Sequence, residues 1–200
     1  MNCGVISSIM ESMDTALFLD RDGVIIENRA NYVRSCDDVT FLPAALAALR
    51  QAAASPYRII VVTNQSAIDR GIITMAQADT INHHIVGEIE NAGGRVDAVF
   101  MCPHTPLDQC DCRKPRPGML LQAAEQFHID LRRSFMIGDS LADLLAGRAA
   151  GVRESIIVRT GRGAVQAALP EAHLLQPFPL FDSLYEALDS ILQQTNHPLS

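Results

Sequence analysis

Short apolar runs alternate with longer amphipathic segments along the chain. The apolar runs are rich in Val, Ile, Leu and Phe, which is typical of buried strands. The strands predicted in this way are Ala16–Leu19, Arg58–Thr63, Ala98–Met101, Ser134–Ile137 and Ser155–Val158. The helices predicted from apolar residues at helical spacing are Pro43–Ala54, Met75–Ala92, Pro117–Phe127 and Leu141–Ala150. Such alternation predicts an α/β fold, a doubly wound, Rossmann-like parallel sheet flanked by helices.

The pattern weakens after the fifth predicted strand. Residues 161–179 are typical of a loop with one weak strand at His173–Leu175, and Phe181–Gln193 has the spacing of a closing helix. No insertion between the predicted strands is long enough for a separate cap domain, so loops alone should cover the site. We expect a single domain over residues 14–200 after a loose N-terminal extension over residues 1–13. Met13 stands just before the first strand, which leaves a later start of the native chain open.

Composition and charge narrow the class of protein. The 200 residues are 48% hydrophobic and 20% charged, which is ordinary for a globular enzyme. The net charge of -7, without a cluster of Lys and Arg, argues against nucleic-acid binding. No apolar run reaches the roughly eighteen residues of a membrane span, and the first residues lack the basic start of a signal peptide. We therefore expect a cytoplasmic protein with neither nucleic acid nor membrane as a partner. We further expect a monomer that acts on a small metabolite.

Polar residues follow the predicted strands at the points where these strands end. Asp20 follows the first strand, Thr63 ends the second, residues 102–114 follow the third, and Asp139 comes directly after the fourth. The carboxyl ends of parallel strands meet at one edge of a sheet, where ligands bind. The sequence therefore predicts that these residues converge on one site.

Asp20 and Asp22 stand where the first predicted strand meets a glycine turn. An ionised Asp20 is suited to attack phosphorus as a nucleophile. Asp22 is suited to protonate the leaving oxygen and later to deprotonate the attacking water. By themselves the two carboxylates fit a solvated turn equally well, because Asp and Gly favour turns.

Two further segments offer groups that bind phosphate. The tetrapeptide Thr63-Asn64-Gln65-Ser66 presents a hydroxyl and successive backbone N–H groups, although an Asx or ST turn would use the same residues. Lys114 is suited to neutralise the nucleophile and the transferring phosphoryl group, and Arg113 to hold a second anionic group of the substrate. Surface exposure is the plainer interpretation of both cations.

Asp139 and Asp143 complete the set of candidate residues. Asp139 offers a hard oxygen ligand for magnesium, and Asp143 is suited to hold Lys114 or a metal-bound water. Helix capping would explain both carboxylates as well. Jointly, however, a pair of carboxylates, a phosphate-binding Thr, a Lys and a final Asp at successive strand ends indicate phosphoryl transfer.

Three of the five cysteines fall within eleven residues. Cys102, His104, Cys110 and Cys112 offer three thiolates and one imidazole, the ligand set of a closed structural zinc site. Chance clustering of surface thiols is the alternative, and zinc is the better interpretation of two short ligand pairs. The loop ends directly before Arg113, so zinc would fix the cations beside the site.

The motifs from Asp20 onward resemble the four motifs of the haloacid dehalogenase superfamily, and the resemblance covers most of the chain. It implies a phosphatase with an aspartyl-phosphate intermediate. It also implies Mg²⁺ held by Asp20, Asp139 and the backbone carbonyl of Asp22, and a phosphate steadied by Thr63 and Lys114.

The zinc loop, the segment Thr63–Gly71 and Val158–Gly161 are similar to one branch of that superfamily, which contains phosphatases of heptose bisphosphate and of histidinol phosphate. This resemblance implies that Asn64, Gln65, Ser66 and Arg113 bind substrate, and it favours a sugar bisphosphate. This sequence departs from the heptose enzymes at three positions and in its shorter zinc loop. The departures are Val24 for Thr, Ala67 for Gly and Ser140 for Lys. Histidinol phosphate therefore stays open as an alternative substrate.

A phosphoacceptor signalling domain is the alternative from another functional class. Such a domain also places an Asp, a Ser or Thr and a Lys at strand ends. It needs no acid/base group two residues beyond the acceptor, where this chain has Asp22, and it carries no zinc loop. The sequence therefore favours the phosphatase.

Overall fold

The computed structural model describes residues 13–196, and within them the chain forms one sheet of six parallel strands. The strands are β1 (Thr15–Leu19), β2 (Tyr57–Asn64), β3 (Ala98–Cys102), β4 (Phe135–Gly138), β5 (Glu154–Val158) and β6 (Leu180–Phe181). They lie in the order β3-β2-β1-β4-β5-β6. The first five are the strands predicted from the apolar runs. The extension expected over residues 1–13 lies, apart from Met13, outside the described residues.

Helices cover both faces of this sheet. They are α1 (Ala45–Ala52), α2 (Met75–Asn91), α3 (Gly118–Phe127), α4 (Leu141–Ala150), α5 (Gly163–Ala167), α6 (Pro170–Leu174) and α7 (Leu184–Asn196). Helices α1, α2 and α7 share one hydrophobic cluster, and α3 and α4 share the cluster on the opposite face. The predicted doubly wound fold is confirmed, and no segment between residues 13 and 196 forms a separate cap domain. No described helix has the length and apolar character needed to cross a membrane.

Strand β1 is buried on both faces, and this places Asp20. Leu17 and Leu19 pack into the cluster of α1, α2 and α7, whereas Ala16 and Phe18 pack into that of α3 and α4. Each fully buried side chain of the size of Leu or Phe contributes about 1.5–3 kcal/mol. Because both faces are committed to the core, a polar group such as Asp20 can reach solvent only beyond the carboxyl end of the strand.

The strand order also creates a crevice at this end. Strands β1 and β4 are neighbours in the sheet although α1, α2 and α3 lie between them in the chain. The connections leave β1 and β4 in opposite directions at such a switch point, and ligands bind in the resulting crevice. Asp20 and Asp139 follow these two strands.

The C-terminal part of the chain corrects the secondary structure predicted there. The weak strand expected at His173–Leu175 is wrong, because Ala172 and its neighbours form α6, which begins at Pro170 in the first-turn position that suits proline. The closing helix begins at Leu184, not Phe181, which pairs with Val158 as part of β6. A strand of two residues is too short to leave a periodic signal in the sequence.

Candidate active site

The carboxyl ends of β1 and β2 border a cavity of about 670 Å³. Asp20, Asp22, Thr63, Lys114 and Asp143 are among the side chains that line it. These residues come from four separate segments of the chain, and the parallel sheet brings them to one edge. The convergence expected from the strand ends is therefore found in the structure.

The ammonium group of Lys114 lies buried between two carboxylates. Its Nζ is 2.6 Å from Asp20 Oδ1 and 2.7 Å from Asp143 Oδ1, and it donates to the carbonyl oxygen of Val62 at 2.6 Å. An ammonium carries three donors, so all of them are engaged. Burial alone would lower the pKa of Lys114, but the charges of Asp143 and Asp20 outweigh it and raise the pKa above its ordinary value. Lys114 therefore stays a cation inside the protein.

Asn64 fixes the backbone that carries this lysine. Its Nδ2 donates to the carbonyl oxygen of Lys114 at 3.0 Å, and the backbone N–H of Lys114 donates to Asn64 Oδ1 at 3.1 Å. This reciprocal pair ties the end of β2 to the loop that follows β3. Asn64 also lines the cavity, so the substrate-binding role expected for it and this structural role share one side chain.

Asp20 is surrounded by negative charge. Burial raises the pKa of the Asp20 carboxyl to about 8. The charge of Lys114 lowers this pKa, whereas the charges of three neighbouring carboxylates raise it further, those of Asp143, Asp139 and Asp22. A single buried ammonium does not neutralise this group of carboxylates. The site is therefore short of positive charge, and a bound cation would return Asp20 to the ionised form that a nucleophile requires.

Asp139 is the carboxylate that best fits a metal ion. Its Oδ2 accepts hydrogen bonds from Asn28 Nδ2 at 2.7 Å and from the backbone N–H of Arg162 at 2.9 Å. Its Oδ1 is buried and accepts no hydrogen bond from the described residues, and the guanidinium NH2 of Arg162 lies 3.5 Å from it. Ligand atoms of Asp20, Asp139 and Asp143 all lie within 4.8 Å of one another. A buried carboxylate oxygen that accepts no hydrogen bond, beside further carboxylates, suits a hard divalent cation such as Mg²⁺.

Two glycines bring backbone close to Asp139. A Cβ at Gly23 would lie 2.1 Å from Asp139 Oδ2, and one at Gly161 would lie 2.4 Å from the same atom. Thr160 Oγ1 donates to the carbonyl oxygen of Gly23 at 2.7 Å and so joins the two loops. The Val158–Gly161 segment, which the sequence marked only by resemblance, therefore encloses the carboxylate expected to bind magnesium.

Asp143 is oriented by the start of α4. Its Oδ2 accepts hydrogen bonds from the Ser140 hydroxyl at 2.6 Å and from the Ser140 backbone N–H at 3.0 Å. Its Oδ1 faces Lys114, so both carboxylate oxygens are engaged. Of the two roles that the sequence allowed, the geometry favours the one in which Asp143 holds Lys114.

Gln65 links the phosphate-binding segment to Asp22. Its Nε2 donates to Asp22 Oδ2 and to Thr63 Oγ1, both at 2.8 Å. Its backbone N–H donates to the carbonyl oxygen of Cys102 at 2.7 Å, which ties the end of β2 to the start of the zinc loop. Gln65 therefore sits between the expected acid/base group and the expected phosphate ligand.

Further cations line the cavity beyond the residues selected from the sequence. Arg113 and Ser66 line it as expected, and Arg113 NH1 donates to the carbonyl oxygen of His104 at 2.9 Å. Arg29, Arg70 and Arg162 line it as well. Isolated arginines in loops carry no signal in the sequence, because their place depends on how the loops fold over the sheet edge.

The four residues of the expected zinc site lie together. The Sγ atoms of Cys102, Cys110 and Cys112 are 3.2–3.6 Å apart, and His104 Nδ1 lies 3.3 Å from Cys112 Sγ and 3.6 Å from Cys102 Sγ. None of these cysteines forms a disulfide. A tetrahedral zinc ion with Zn–S bonds of about 2.3 Å would separate its ligand atoms by about 3.8 Å. The cluster therefore fits a zinc ion.

Comparisons with known proteins agree with this geometry. Residues 111–187 match the family model described as HAD-hydrolase-like. The D-glycero-β-D-manno-heptose-1,7-bisphosphate 7-phosphatase of Pseudomonas aeruginosa is 36% identical over 179 residues, covering 88% of this chain and 97% of that protein. The enzyme of the same name from Escherichia coli K12 is 40% identical over 154 residues, covering 74% of this chain and 80% of that protein.

A solved structure extends the similarity to the whole fold. It is the D,D-heptose 1,7-bisphosphate phosphatase of B. bronchiseptica, complexed with magnesium and phosphate. It superimposes with a TM-score of 0.82 at 34% identity and covers 90% of this chain and 99% of that chain. The chain therefore belongs to the haloacid dehalogenase superfamily, in the branch that contains these phosphatases, and it is a phosphoric monoester hydrolase.

Proposed function

We propose that the protein is a Mg²⁺-dependent phosphatase that converts D-glycero-D-manno-heptose 1,7-bisphosphate to the 1-phosphate through an aspartyl-phosphate intermediate. The observation that carries the proposal is the buried Lys114, paired with Asp20 and Asp143 at the floor of the cavity. The names of the relatives at 36–40% identity support the choice of substrate. A monomeric state and a cytoplasmic location stay predictions.

In the first step, a carboxylate oxygen of Asp20 attacks the phosphorus atom of the 7-phosphate. The bond from phosphorus to the sugar oxygen breaks, and that oxygen takes the proton of the Asp22 carboxylic acid. The products are an aspartyl-phosphate on Asp20, an ionised Asp22 and the sugar alcohol. The Thr63 hydroxyl and the positive charge of the Lys114 ammonium stabilise the oxygens of the transferring phosphoryl group, where negative charge is concentrated.

In the second step, the ionised Asp22 takes a proton from a water molecule whose oxygen attacks phosphorus. The bond between phosphorus and the Asp20 oxygen breaks, which releases inorganic phosphate and restores the Asp20 carboxylate. Asp143 holds the ammonium of Lys114 in place through both steps, because neither of its carboxylate oxygens is released for another partner.

Asp20, Asp139 and the backbone carbonyl of Asp22 would hold the magnesium ion. When bound, the ion supplies positive charge to the nucleophile and to the phosphoryl oxygens. Asp139 Oδ1 accepts no hydrogen bond from the described residues, and burial and negative charge raise the pKa of Asp20. Both features support this assignment, because a cation bound here would stabilise the two carboxylates.

The cations around the cavity support a substrate with two anionic groups. Besides Lys114, four arginines are among the residues that line the cavity, namely Arg29, Arg70, Arg113 and Arg162. The zinc loop anchors Arg113 through its hydrogen bond to His104, so one of these groups is fixed in advance. Histidinol phosphate carries an ammonium group, which such a lining would repel.

The substrate is tested with a panel of phosphate esters in the presence of Mg²⁺. We expect kcat/KM for heptose 1,7-bisphosphate to exceed that for fructose 1,6-bisphosphate and for histidinol phosphate by at least about tenfold. Arg113→Gln should reduce this preference while leaving turnover of a monophosphate nearly unchanged. A preference of the unmodified protein for histidinol phosphate would overturn the proposed substrate.

Crowding at Asp139 gives a test of the magnesium site. Gly161→Ala should weaken Mg²⁺ binding at least about tenfold, because the added Cβ would displace the Asp139 carboxylate. The measurement is Mg²⁺ affinity by calorimetry and by the rise in unfolding temperature with Mg²⁺ concentration. Gly151→Ala is the matched control, since Gly151 also has a positive φ (+80°) but its Cβ would meet nothing within 4 Å. Equal Mg²⁺ affinity in the two variants would contradict the assignment.

A further inference from the structure

Arg21 is a buried arginine between the two aspartates of the active site. Its side chain is only 3% exposed. Its Nε donates to Asp22 Oδ2 at 3.1 Å and its NH2 donates to Asp22 Oδ1 at 3.2 Å. Arginine is rarely buried unless each donor group meets a specific acceptor, because desolvation of the charge is costly. This fork-shaped contact holds both oxygens of the Asp22 carboxylate at once.

A second buried polar residue fixes the arginine from behind. Arg21 NH1 donates to Asn82 Oδ1 at 2.7 Å. Asn82 lies on α2, on the same buried face as Ala78, Ile81 and Ile85. An apolar residue would suit this position better, so the amide needs a partner there, and Arg21 provides one. Asn82 does not line the cavity, which places it outside the reach of substrate.

We propose that Arg21 and Asn82 are positioning residues that orient the carboxyl group of Asp22 toward the leaving oxygen of the substrate. The proposal rests on the function proposed above, in which Asp22 is the acid and base. Gln65 Nε2 also donates to Asp22 Oδ2 at 2.8 Å, so two side chains from different segments hold this carboxylate. Helix α2 is thereby connected to the chemistry through Asn82 and Arg21, without contact to the substrate.

A positioning role makes a specific prediction about leaving groups. An alkyl phosphate needs a proton on its leaving oxygen, whereas the nitrophenolate of p-nitrophenyl phosphate leaves without one. Misplacing Asp22 should therefore slow phosphoryl transfer from the alkyl ester alone. The parameter kcat/KM reports this first transfer and is unaffected by the later hydrolysis of the aspartyl-phosphate, which both esters share.

The experiment compares kcat/KM for heptose 1,7-bisphosphate and p-nitrophenyl phosphate at saturating Mg²⁺. Arg21→Met should lower the value for the sugar phosphate by about 10- to 100-fold, within the contribution of general acid catalysis, and that for the aryl ester by less than about threefold. Asn82→Ala should shift the ratio in the same direction by a smaller factor. Arg21→Lys should recover little, because a single ammonium cannot hold both oxygens.

A double-mutant cycle shows whether Arg21 acts through Asp22. In an Asp22→Asn background, the change Arg21→Met should have no further effect on the ratio of the two rates. Ile85→Ala is the matched control for loss of packing on the same face of α2, and it should leave the ratio unchanged. If Arg21→Met fails to fold, the ratio of kcat/KM for the two esters is measured in Asn82→Ala instead.

The failures of the two proposals are distinguishable. Suppose that Asp22→Asn lowers kcat/KM for the sugar phosphate selectively, but Arg21→Met and Asn82→Ala lower kcat/KM for both esters equally. This result would overturn the positioning role and leave the phosphatase mechanism intact. The absence of a selective loss in Asp22→Asn would overturn the acid role of Asp22 and the positioning role with it. If the parent protein does not hydrolyse the heptose ester, the proposed substrate is wrong, and histidinol phosphate serves as the alkyl ester.

Discussion

Asp20→Asn is expected to abolish turnover, lowering kcat by at least about a thousandfold. An amide has the size of a carboxyl group but cannot attack phosphorus, and it removes one of the oxygens expected to hold magnesium. The measurement is release of inorganic phosphate at saturating substrate and Mg²⁺. Mass spectrometry after an acid quench should detect a phosphoryl adduct on Asp20 in the parent protein and none in the variant.

The loss of activity is separable from a loss of folding. Burial raises the pKa of Asp20 from 3.8 to about 8, so the folded, metal-free protein holds this proton more tightly than the unfolded chain does. Stability without metal should therefore fall as pH rises through this interval, and in Asp20→Asn this part of the decline should be absent. The variant should unfold no more readily than the parent protein at neutral pH in the presence of a chelator, which thermal denaturation measures.

Asp189→Asn is the matched control for this substitution. Asp189 is a half-buried residue of α7 that accepts hydrogen bonds from Gln51 and Gln193, and it does not line the cavity. We expect this variant to keep the activity of the parent protein. Appreciable turnover by Asp20→Asn, with the phosphoryl adduct still formed, would show that another group is the nucleophile.

The apolar runs predicted the sheet because its central strands are buried on both faces. Leu17 and Leu19 on one side of β1 and Phe18 on the other leave an uninterrupted apolar segment that is visible in the sequence. The strand-end rule then places Asp20 and Asp139 at one edge. It does not reveal that β1 and β4 are adjacent, which depends on how the crossover connections pack.

The residues that the sequence did not reveal act through contacts between distant segments. Asn28 and Arg162 reach Asp139 from loops whose paths depend on the finished fold. Asn82 did leave a signal, since it is a polar residue among the apolar positions Ala78, Ile81 and Ile85 of α2. Reading that signal requires knowing which buried group needs a partner, and Arg21 is identified as that group only in the structure.

The shortest elements escaped prediction for a related reason. Helix α6 and strand β6 gain their order from tertiary contacts, since Ala172 packs against Leu144 and Ile157, and Leu180 pairs with Ile157. Segments this short cannot form alone, because the free-energy cost of nucleation exceeds the stabilisation from their few hydrogen bonds. Local periodicity therefore carries little information about them.

Cys110→Ser is expected to remove the zinc ion and most of the activity together. Zinc binding to such closed sites supplies about 10–16 kcal/mol in zinc-finger peptides, and a hydroxyl is a poor replacement for a thiolate. Burial raises the pKa of the Cys102 thiol, so without the ion this sulfur stays protonated and the four ligands no longer hold the loop together. Metal analysis of the purified variant and its unfolding temperature measure these effects.

The expected loss of activity follows from where the loop is attached. The loop ends at Arg113, whose guanidinium donates to the carbonyl oxygen of His104, and at Lys114, whose backbone pairs with Asn64. Loosening the loop should therefore displace both cations from the cavity. We expect kcat to fall and KM for the bisphosphate to rise, because Lys114 acts on the transferring phosphoryl group and Arg113 on the second phosphate.

Cys36→Ser separates the effect of the zinc loop from a general sensitivity to thiol substitution. Cys36 lies in a short turn outside the cluster and should be replaceable without loss of zinc or activity. Removal of zinc from the parent protein by a chelator that spares Mg²⁺ should reproduce the kinetic defect of Cys110→Ser, and added zinc should restore activity only in the parent. Full activity in a protein shown to be free of zinc would contradict the proposal that the ion holds Arg113 and Lys114 in place.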